Sequence, residues 1–423
     1  MTRSLPCDAT ERPRSFKHVL SLKKRATSIA STLCVAAVST IIAGCGGGSD
    51  SPVPQTIASQ LFAQTNDTVN AVAIFTRNAD GTIKPNGVVP TGGAGTNGVS
   101  YFMGNAVTPD ALTSNYSVIT SPDHTKLFVA NAGDNTVSTF TINPAGGITL
   151  LAVSGTGGIR PTSLAFANGV LYVTHQQGAK ELGAYRVGSD GKLTSIGQYT
   201  VVQQDALPTQ VALSPDGKYI IVNGFLKTVN PVVPANALLA YPIAADGTLG
   251  APITSTSSGV GPFGGRFGFG SLDKTYVVAE AAGATVSSYS WSPTNAAFSA
   301  QSGPVGVSGQ AAPCWLNISA DNQHVYVSSG SGAISEFALD STGRLTLVNA
   351  SVASEPATQT GASASSFAND SWISSDGKYF YQDYAGDGKI VVYAISAVGS
   401  LSKLGEEPVK TNALVSLQGL AGT

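Results

Sequence analysis

The sequence predicts an all-β fold assembled from seven copies of one four-stranded unit, and three observations carry that prediction. The first is composition. The 423 residues include 48 Gly and 22 Pro but only 11% charged residues, whereas coiled coils and long helices draw about half their residues from Ala, Glu, Lys, Leu and Arg. Short Val, Ile, Tyr and Phe runs between Gly, Pro, Ser and Thr read as strands and tight turns, and 42% hydrophobic residues is far too much for a disordered chain.

The second observation is a repeat. An apolar strand ending in an aromatic residue, followed by a turn and another strand, recurs at Phe75, Phe140, Tyr185, Tyr241, Tyr289, Phe337 and Tyr393, a mean spacing of 53 residues. Between these marks lies a hairpin, clearest as Val211 to Val222 through Ser214-Pro215-Asp216-Gly217-Lys218, with relatives at Ser121-Pro122-Asp123, Ser319-Ala320-Asp321 and Ser375-Asp376-Gly377. Each unit thus holds four antiparallel strands, a to d, and a period near 50 with four strands is the mark of a β-propeller blade. Seven copies predict a single seven-bladed β-propeller.

The third observation is how the ends fit. Leu61 to Ile83 supplies only strands b, c and d, and Leu417 to Ala421 reads as a lone strand a. Pairing the N- and C-terminal strands would complete one blade and remove an exposed edge. The propeller is therefore expected over 57–423.

Ahead of it, Lys23-Lys24-Arg25 precedes the uncharged stretch Ala26 to Gly44, which ends in Ile42-Ala43-Gly44-Cys45. A basic region, an apolar core and small residues before the cut form an export signal. The last four residues resemble a bacterial lipobox, which implies a signal peptide over 1–44, lipidation of Cys45 and a Gly/Ser/Pro tether over 45–56; a plain transmembrane anchor is the other reading. Residues 1–21 are long for an n-region, so a start further downstream is also open. Gly46 lacks the Asp that often retains lipoproteins at the inner membrane, so the expected location is the cell envelope, periplasm-facing or attached to the outer membrane. After removal of 1–44 only Cys45 and Cys314 of the four cysteines remain, so no disulfide within the propeller is expected.

From residue 46 onward the chain carries 16 basic and 23 acidic residues. Binding duplex nucleic acid rests on a basic stripe, and none is present. The expected partners are a small molecule and, through the lipid alone, a membrane; the propeller is expected to be monomeric.

In an antiparallel blade the d-to-a and b-to-c loops of every unit share one face around the central channel, so a site is expected there. Asn131, Arg160, His175, Gln176, Asn223, Lys227, Phe263, Glu280, Trp315, Ser328, Asp370, Asp383 and Gln418 fall at that mouth. His124 and His324 fall at the far end, which leaves His175 as the histidine placed to work. Glu280 closes the apolar strand Tyr276 to Ala279 and reads either as a general base or as a carboxylate capping a loop. Arg160 reads as an anion fork or a rim ion pair, Trp315 as a stacking surface or inter-blade packing, and Cys314 as a buried thiol. Glu280, Asn223, Asn131 and Asp370 would offer oxygen ligands to a divalent cation if they converge. No metal, phosphate-loop or nucleophile-elbow motif is found, and no cofactor is expected.

The Ser-Pro-Asp-Gly-Lys-Tyr hairpin and the strands ending in Asp-Gly-x-Leu over residues 57–423 resemble the seven-bladed lactonase family, which includes bacterial 6-phosphogluconolactonases and fungal carboxymuconate cyclases. That family opens one inner strand with Gly-Pro-Arg-His and closes the next with Asn-Glu. Here the first stretch reads Gly261-Pro262-Phe263-Gly264, so Phe263 and Gly264 stand where the Arg and His would, while Glu280 matches the Glu. A family His looks replaced near Thr209, and Lys227 matches a basic residue in the following loop. The resemblance implies a hydrolase opening a lactone of sugar type, with Glu280, His175 and Arg160 as catalytic candidates and Lys227, Asn223, Arg266, Trp315 and Asp370 as substrate-binding ones. The missing Arg and His leave a second expectation open, a non-catalytic envelope-tethered binding propeller.

Overall fold

A computed structural model describes residues 58–358, 364–413 and 415–423; the expected signal peptide, Cys45 and the tether lie outside the described residues. Seven four-stranded antiparallel sheets form the blades, together with one two-stranded hairpin. Among the described residues the only helix is the 3-10 turn Gly270–Leu272.

Blade 1 is the closing blade. Its inner strand a is Gln418–Gly422, and strands b, c and d are Gln60–Gln64, Ala71–Arg77 and Ile83–Pro90. The register sets Phe62 against Ala421, and the Thr423 N–H donates to the Gln60 carbonyl at 3.0 Å. Arg77 clasps the joint by donating to the Thr423 carbonyl at 2.8 Å while stacking 4.8 Å over Trp372 of blade 7. The predicted closure is thus formed through these hydrogen bonds. The other inner strands, Val118–Thr120, Ile159–Ala167, Leu207–Leu213, Pro262–Phe267, Pro313–Ile318 and Ala368–Ile373, open blades 2 to 7.

The hairpins between strands a and b are built alike. Ser121, Ser214, Ser319 and Ser374 each donate to the Asp two residues on, and each then accepts the first N–H of strand b. A side chain that satisfies two backbone or side-chain groups inside one turn is why Ser and Asp recur there. At the outer c-to-d turns Asp80, Asp190, Asp246 and Asp340 accept the N–H two residues ahead; the hydroxyls of Thr82, Thr248 and Thr342 first, and the Lys192 N–H first for Asp190, hold these carboxyls below the ordinary value.

The core lies between blades rather than in one centre. Tyr172 and Leu182 of blade 3 pack with Val211, Ile220 and Tyr241 of blade 4; Leu61 and Phe75 of blade 1 pack with Tyr381 and Val392 of blade 7. All seven repeat aromatics are buried in such layers. Large aromatic side chains supply most of the apolar area that each sheet buries against its neighbour.

One connection departs from the rest. The d-to-a links are as short as 156–158, but 91–117 between blades 1 and 2 carries its own hairpin, Val99–Ser100 with Ala106–Val107. This insert, which the repeat pattern did not single out, decides what the channel mouth looks like.

Candidate functional site

The insert crosses the mouth. Ser114 donates to the Thr162 carbonyl of blade 3 at 3.1 Å, and the Asn115 N–H reaches the Thr209 carbonyl of blade 4 at 2.9 Å. The Trp315 indole of blade 6 donates to the Ser114 carbonyl at 3.0 Å, and Gln176 of blade 3 donates to the Leu112 carbonyl. Residues 111–115 are buried. The segment that would be a loop in a regular repeat is therefore a plug held by blades on several sides.

A cavity of about 320 Å³ remains beside the plug, lined by Ser100, Phe102, Met103, Thr108, Pro109, Asp110 and Thr113 of the insert. Phe225, Phe263, Ala281, Ala282, Ala312, Cys314 and Phe367 of blades 4 to 7 complete it. Its wall is a run of edge-on aromatic pairs, Phe102–Phe225 at 5.6 Å, Phe225–Phe263 at 5.8 Å, Phe263–Trp315 at 5.4 Å and Trp315–Phe367 at 5.9 Å. Such contacts lock ring orientation as well as burying area. The Cys314 thiol sits in this wall, and burial followed by the charge of Asp110 pushes its pKa well up, so it is held as the unreactive thiol.

The one ionisable group besides Cys314 in the lining is Asp110. Its Oδ1 accepts from Gln418 Nε2 at 3.1 Å and from the Ser114 N–H at 3.3 Å. Among the described residues nothing donates to Oδ2. The same Gln418 amide reaches Asp370 Oδ2 at 3.4 Å, and the Gly419 and Tyr116 N–H groups reach Asp370 at 3.0 and 3.4 Å. One amide thus links two buried carboxyls. Burial first, and then Asp370, push the Asp110 pKa well above the ordinary range, and burial takes Asp370 up to about 7. Asp383, buried beyond them, is raised by burial and by both neighbours. Carboxyls packed together in a buried cluster bind their protons more tightly than isolated ones.

The residues predicted from sequence are distributed differently. Glu280 is fully buried, and its two oxygens take five hydrogen bonds. Oε1 accepts from Ser257, the Gly259 N–H and Tyr289 at 2.9, 2.8 and 2.8 Å. Oε2 accepts from Thr285 and Ser287 at 2.7 and 2.9 Å. The capping reading, not the general-base reading, describes this geometry: the carboxylate ties the 257–261 connection to strands b and c and has no free oxygen for a substrate. His175 is also fully buried, against Gly158, with neither ring nitrogen partnered among the described residues. Burial pushes it down to about 4 against a weaker pull from the Lys180 backbone, so it is neutral. Arg160 holds the insert instead of facing the cavity, donating to the Val99 carbonyl at 2.7 Å and lining a separate groove with Gly95, Asn135 and Gln177. These three side chains are not brought together.

Among the binding candidates, Trp315 and Asp370 lie directly behind the cavity. Asn223 donates to the Phe263 carbonyl at 2.9 Å and accepts from Tyr276, which makes it a link between blades 4 and 5. Lys227 is exposed on the extended hairpin Tyr219–Thr228 with Val233–Pro242. Arg266 bonds Asn317 and lines a depression with Tyr116 and Pro215, toward the far end of the channel. The four oxygen donors proposed for a cation do not converge: Asn131 serves Asn70, Thr91 and Ser138, while Glu280, Asn223 and Asp370 sit in the separate networks above. Among the described residues no group of three His, Cys, Asp or Glu is placed to hold a metal ion. A side chain at Gly264 would strike the Cys314 carbonyl, so the close approach of blades 5 and 6 here requires glycine.

Residues 64–204 match the family model described as a lactonase, 7-bladed β-propeller. Over that stretch the chain is similar to this family, and its fold is a seven-bladed propeller. As a fold it is similar to a candidate 6-phosphogluconolactonase from Bacteroides uniformis, at 18% identity over 87% of this chain and 100% of that one, with a TM-score of 0.60. It is similar also to the periplasmic gluconolactonase of Pseudomonas aeruginosa, at 17% identity over 86% and 99% with a TM-score of 0.63, and to a Lactobacillus plantarum protein at 16% identity over 86% and 99% with a TM-score of 0.64. Comparison with curated proteins returned no match. This propeller has Glu280 where the family pattern has its Glu but buries it, and it places Phe263 in an apolar wall.

Asp110, Phe102 and Phe225 were missed in the sequence. The available signal was spacing: Phe75 and Phe140 stand 65 residues apart against a mean of 53, which marks an insertion at this one connection.

Proposed function

We propose that the protein hydrolyses a lactone in the cavity beside the plug, with Asp110 as the group that moves the proton. The observation that carries this reading is a buried carboxyl with a raised pKa, its Oδ2 without a hydrogen bond among the described residues, in the lining of a mainly apolar cavity of a propeller whose residues 64–204 match the lactonase family model. A carboxylate whose proton affinity is raised is a stronger general base once ionised. Asp110 Oδ2 would take a proton from water as the water oxygen adds to the lactone carbonyl carbon. It would return that proton to the ring oxygen as the C–O bond breaks, leaving a hydroxy acid. Asp370, tied to the same Gln418 amide, sets how tightly Asp110 holds its proton. The base form is the active one, so kcat/KM should rise with pH through the Asp110 pKa and then level.

Proton release at constant pH, measured on a panel of lactones, tests this. Asp110→Asn should lower kcat/KM by about 100-fold or more, the usual worth of a positioned base, and Glu280→Gln should leave turnover per folded molecule unchanged. The reverse pattern would return the chemistry to Glu280. The second reading, a binding propeller, is favoured by Phe263 and Gly264 standing where the family pattern has Arg and His; tight binding with no proton release would establish it.

Export belongs to the same proposal: cleavage before Cys45, lipidation of its thiol and a monomeric propeller facing the periplasm or held at the outer membrane. Incorporation of labelled fatty acid that Cys45→Ser abolishes would support it, and unchanged labelling would end it.

A further inference from the structure

We infer that the cavity takes a small, uncharged and largely apolar lactone, one with an alkyl or aryl substituent, and excludes phosphorylated and polyhydroxylated sugar lactones. This rests on the hydrolase reading for the word lactone. It rests on the cavity alone for the ligand's polarity.

No lining residue carries a positive charge. The basic side chains expected near the mouth are engaged or distant: Arg160 is bound to the insert, Arg266 to Asn317, and Lys227 is exposed on its hairpin. An anion entering an apolar space loses hydration that only a paired cation or several donors could replace, and the one charge Asp110 can present has the wrong sign. A sugar lactone would bring several hydroxyls, each needing a partner once buried. The polar side chains available are few, Ser100, Thr108, Thr113 and Asp110. What the wall offers instead is ring surface from Phe102, Phe225, Phe263 and Phe367. The volume of about 320 Å³ stands at the low end for ligand sites, about 300–1,000 Å³, which sets the size.

Calorimetry on the purified protein tests the inference with δ-lactones of increasing alkyl chain length, glucono-δ-lactone and its 6-phosphate. Each added methylene should tighten binding about fourfold until the cavity is filled, and neither sugar lactone should give a binding isotherm. Ala282, exposed at the rim, offers a variant that disturbs no core: Ala282→Trp should abolish alkyl-lactone binding without moving Tm. Phe263→Arg should weaken the alkyl series by about 10-fold or more and admit the phosphorylated lactone. Sugar lactones bound more tightly than alkyl ones, or alkyl binding indifferent to Ala282→Trp, would overturn the inference. The two readings fail separately. Alkyl-lactone binding without proton release removes the hydrolase and keeps the ligand polarity, whereas sugar-lactone turnover lost in Asp110→Asn keeps the hydrolase and removes the ligand polarity.

Discussion

Two buried carboxyls at the same end of the propeller have opposite surroundings. Glu280 sits where a short connection, 257–261, folds back on its blade, and five donors close around it. Asp110 sits on the long insert 91–117, where two donors share one oxygen and the nearest charged neighbour is another carboxyl. A regular repeat turn can surround a carboxylate with the hydroxyls and N–H groups of its own hairpin, and it then serves as a fastener. A segment laid across the mouth brings its carboxyl to a cavity that it lines jointly with blades 4 to 7, and Oδ2 is left without a donor among the described residues. Burial alone therefore does not mark a working acid; the count of donors does.

Removing the Glu280 charge is the sharpest way to break the comparison. Glu280→Gln places an NH2 group among five donors, and hydrogen bonds to a charged group are worth about 1.5–3 kcal/mol each, so a net loss of about 2–4 kcal/mol is expected. Chemical denaturation should show the midpoint falling at unchanged slope. A variant as stable as the parent would mean that the hydroxyls of Thr285 and Ser287 simply turn round and that the fastener is dispensable.

A smaller effect, but one with a characteristic pH dependence, is expected at Asp370. Its folded pKa of about 7 lies above the ordinary 3.8, so the folded protein binds the extra proton over that interval. The associated stability is complete below the ordinary value and is lost as pH rises through about 7. Asp370→Asn keeps one oxygen to accept the Gly419 N–H, gives up the weaker bond from the Tyr116 N–H to the other oxygen, and removes the titration. The variant's Tm should fall less between pH 4 and 8 than the parent's, with the gain appearing at pH 8. A slope in the variant as steep as the parent's would show that Asp110 and Asp383 carry the whole effect.

How much of this was legible in the sequence follows from what repeats. The aromatic marks, the Ser-x-Asp hairpins and the division of blade 1 between Leu61–Ile83 and Leu417–Ala421 recur or complement one another, so pattern alone places seven blades and the face where loops gather. Glu280 was placed on the correct strand end, but whether its carboxylate meets solvent depends on Ser257 and Gly259, more than twenty residues away on a loop whose path the pattern does not record. Asp110 and Phe102 belong to the one stretch that repeats nothing. Their partners, Gln418 and Phe225, come from blades 1 and 4, so only the closed ring brings them together; the long gap between Phe75 and Phe140 gave its position without its contents.

His175 extends the comparison to a buried ionisable group whose ring nitrogens lack a well-formed hydrogen bond among the described residues. It lies against Gly158 in the shortest d-to-a link, 156–158, and its ring nitrogens are unpartnered among the described residues. With a folded pKa of about 4 against an ordinary 6.5, the unfolded chain binds the extra proton between those values, so this group's contribution is present above about pH 6.5 and is lost as pH falls toward 4. His175→Leu removes two unmet polar atoms and the titration together while nearly conserving volume. An unpaired polar group replaced by an apolar one of similar shape is close to neutral or stabilising, so the variant's Tm should match or slightly exceed the parent's at pH 7, and exceed it clearly at pH 5. If His175→Leu instead lowers Tm at both pH values, an internal water must be satisfying the imidazole. The ranking of Glu280, Asp110 and His175 by donor count would then have to be redrawn with His175 among the fasteners.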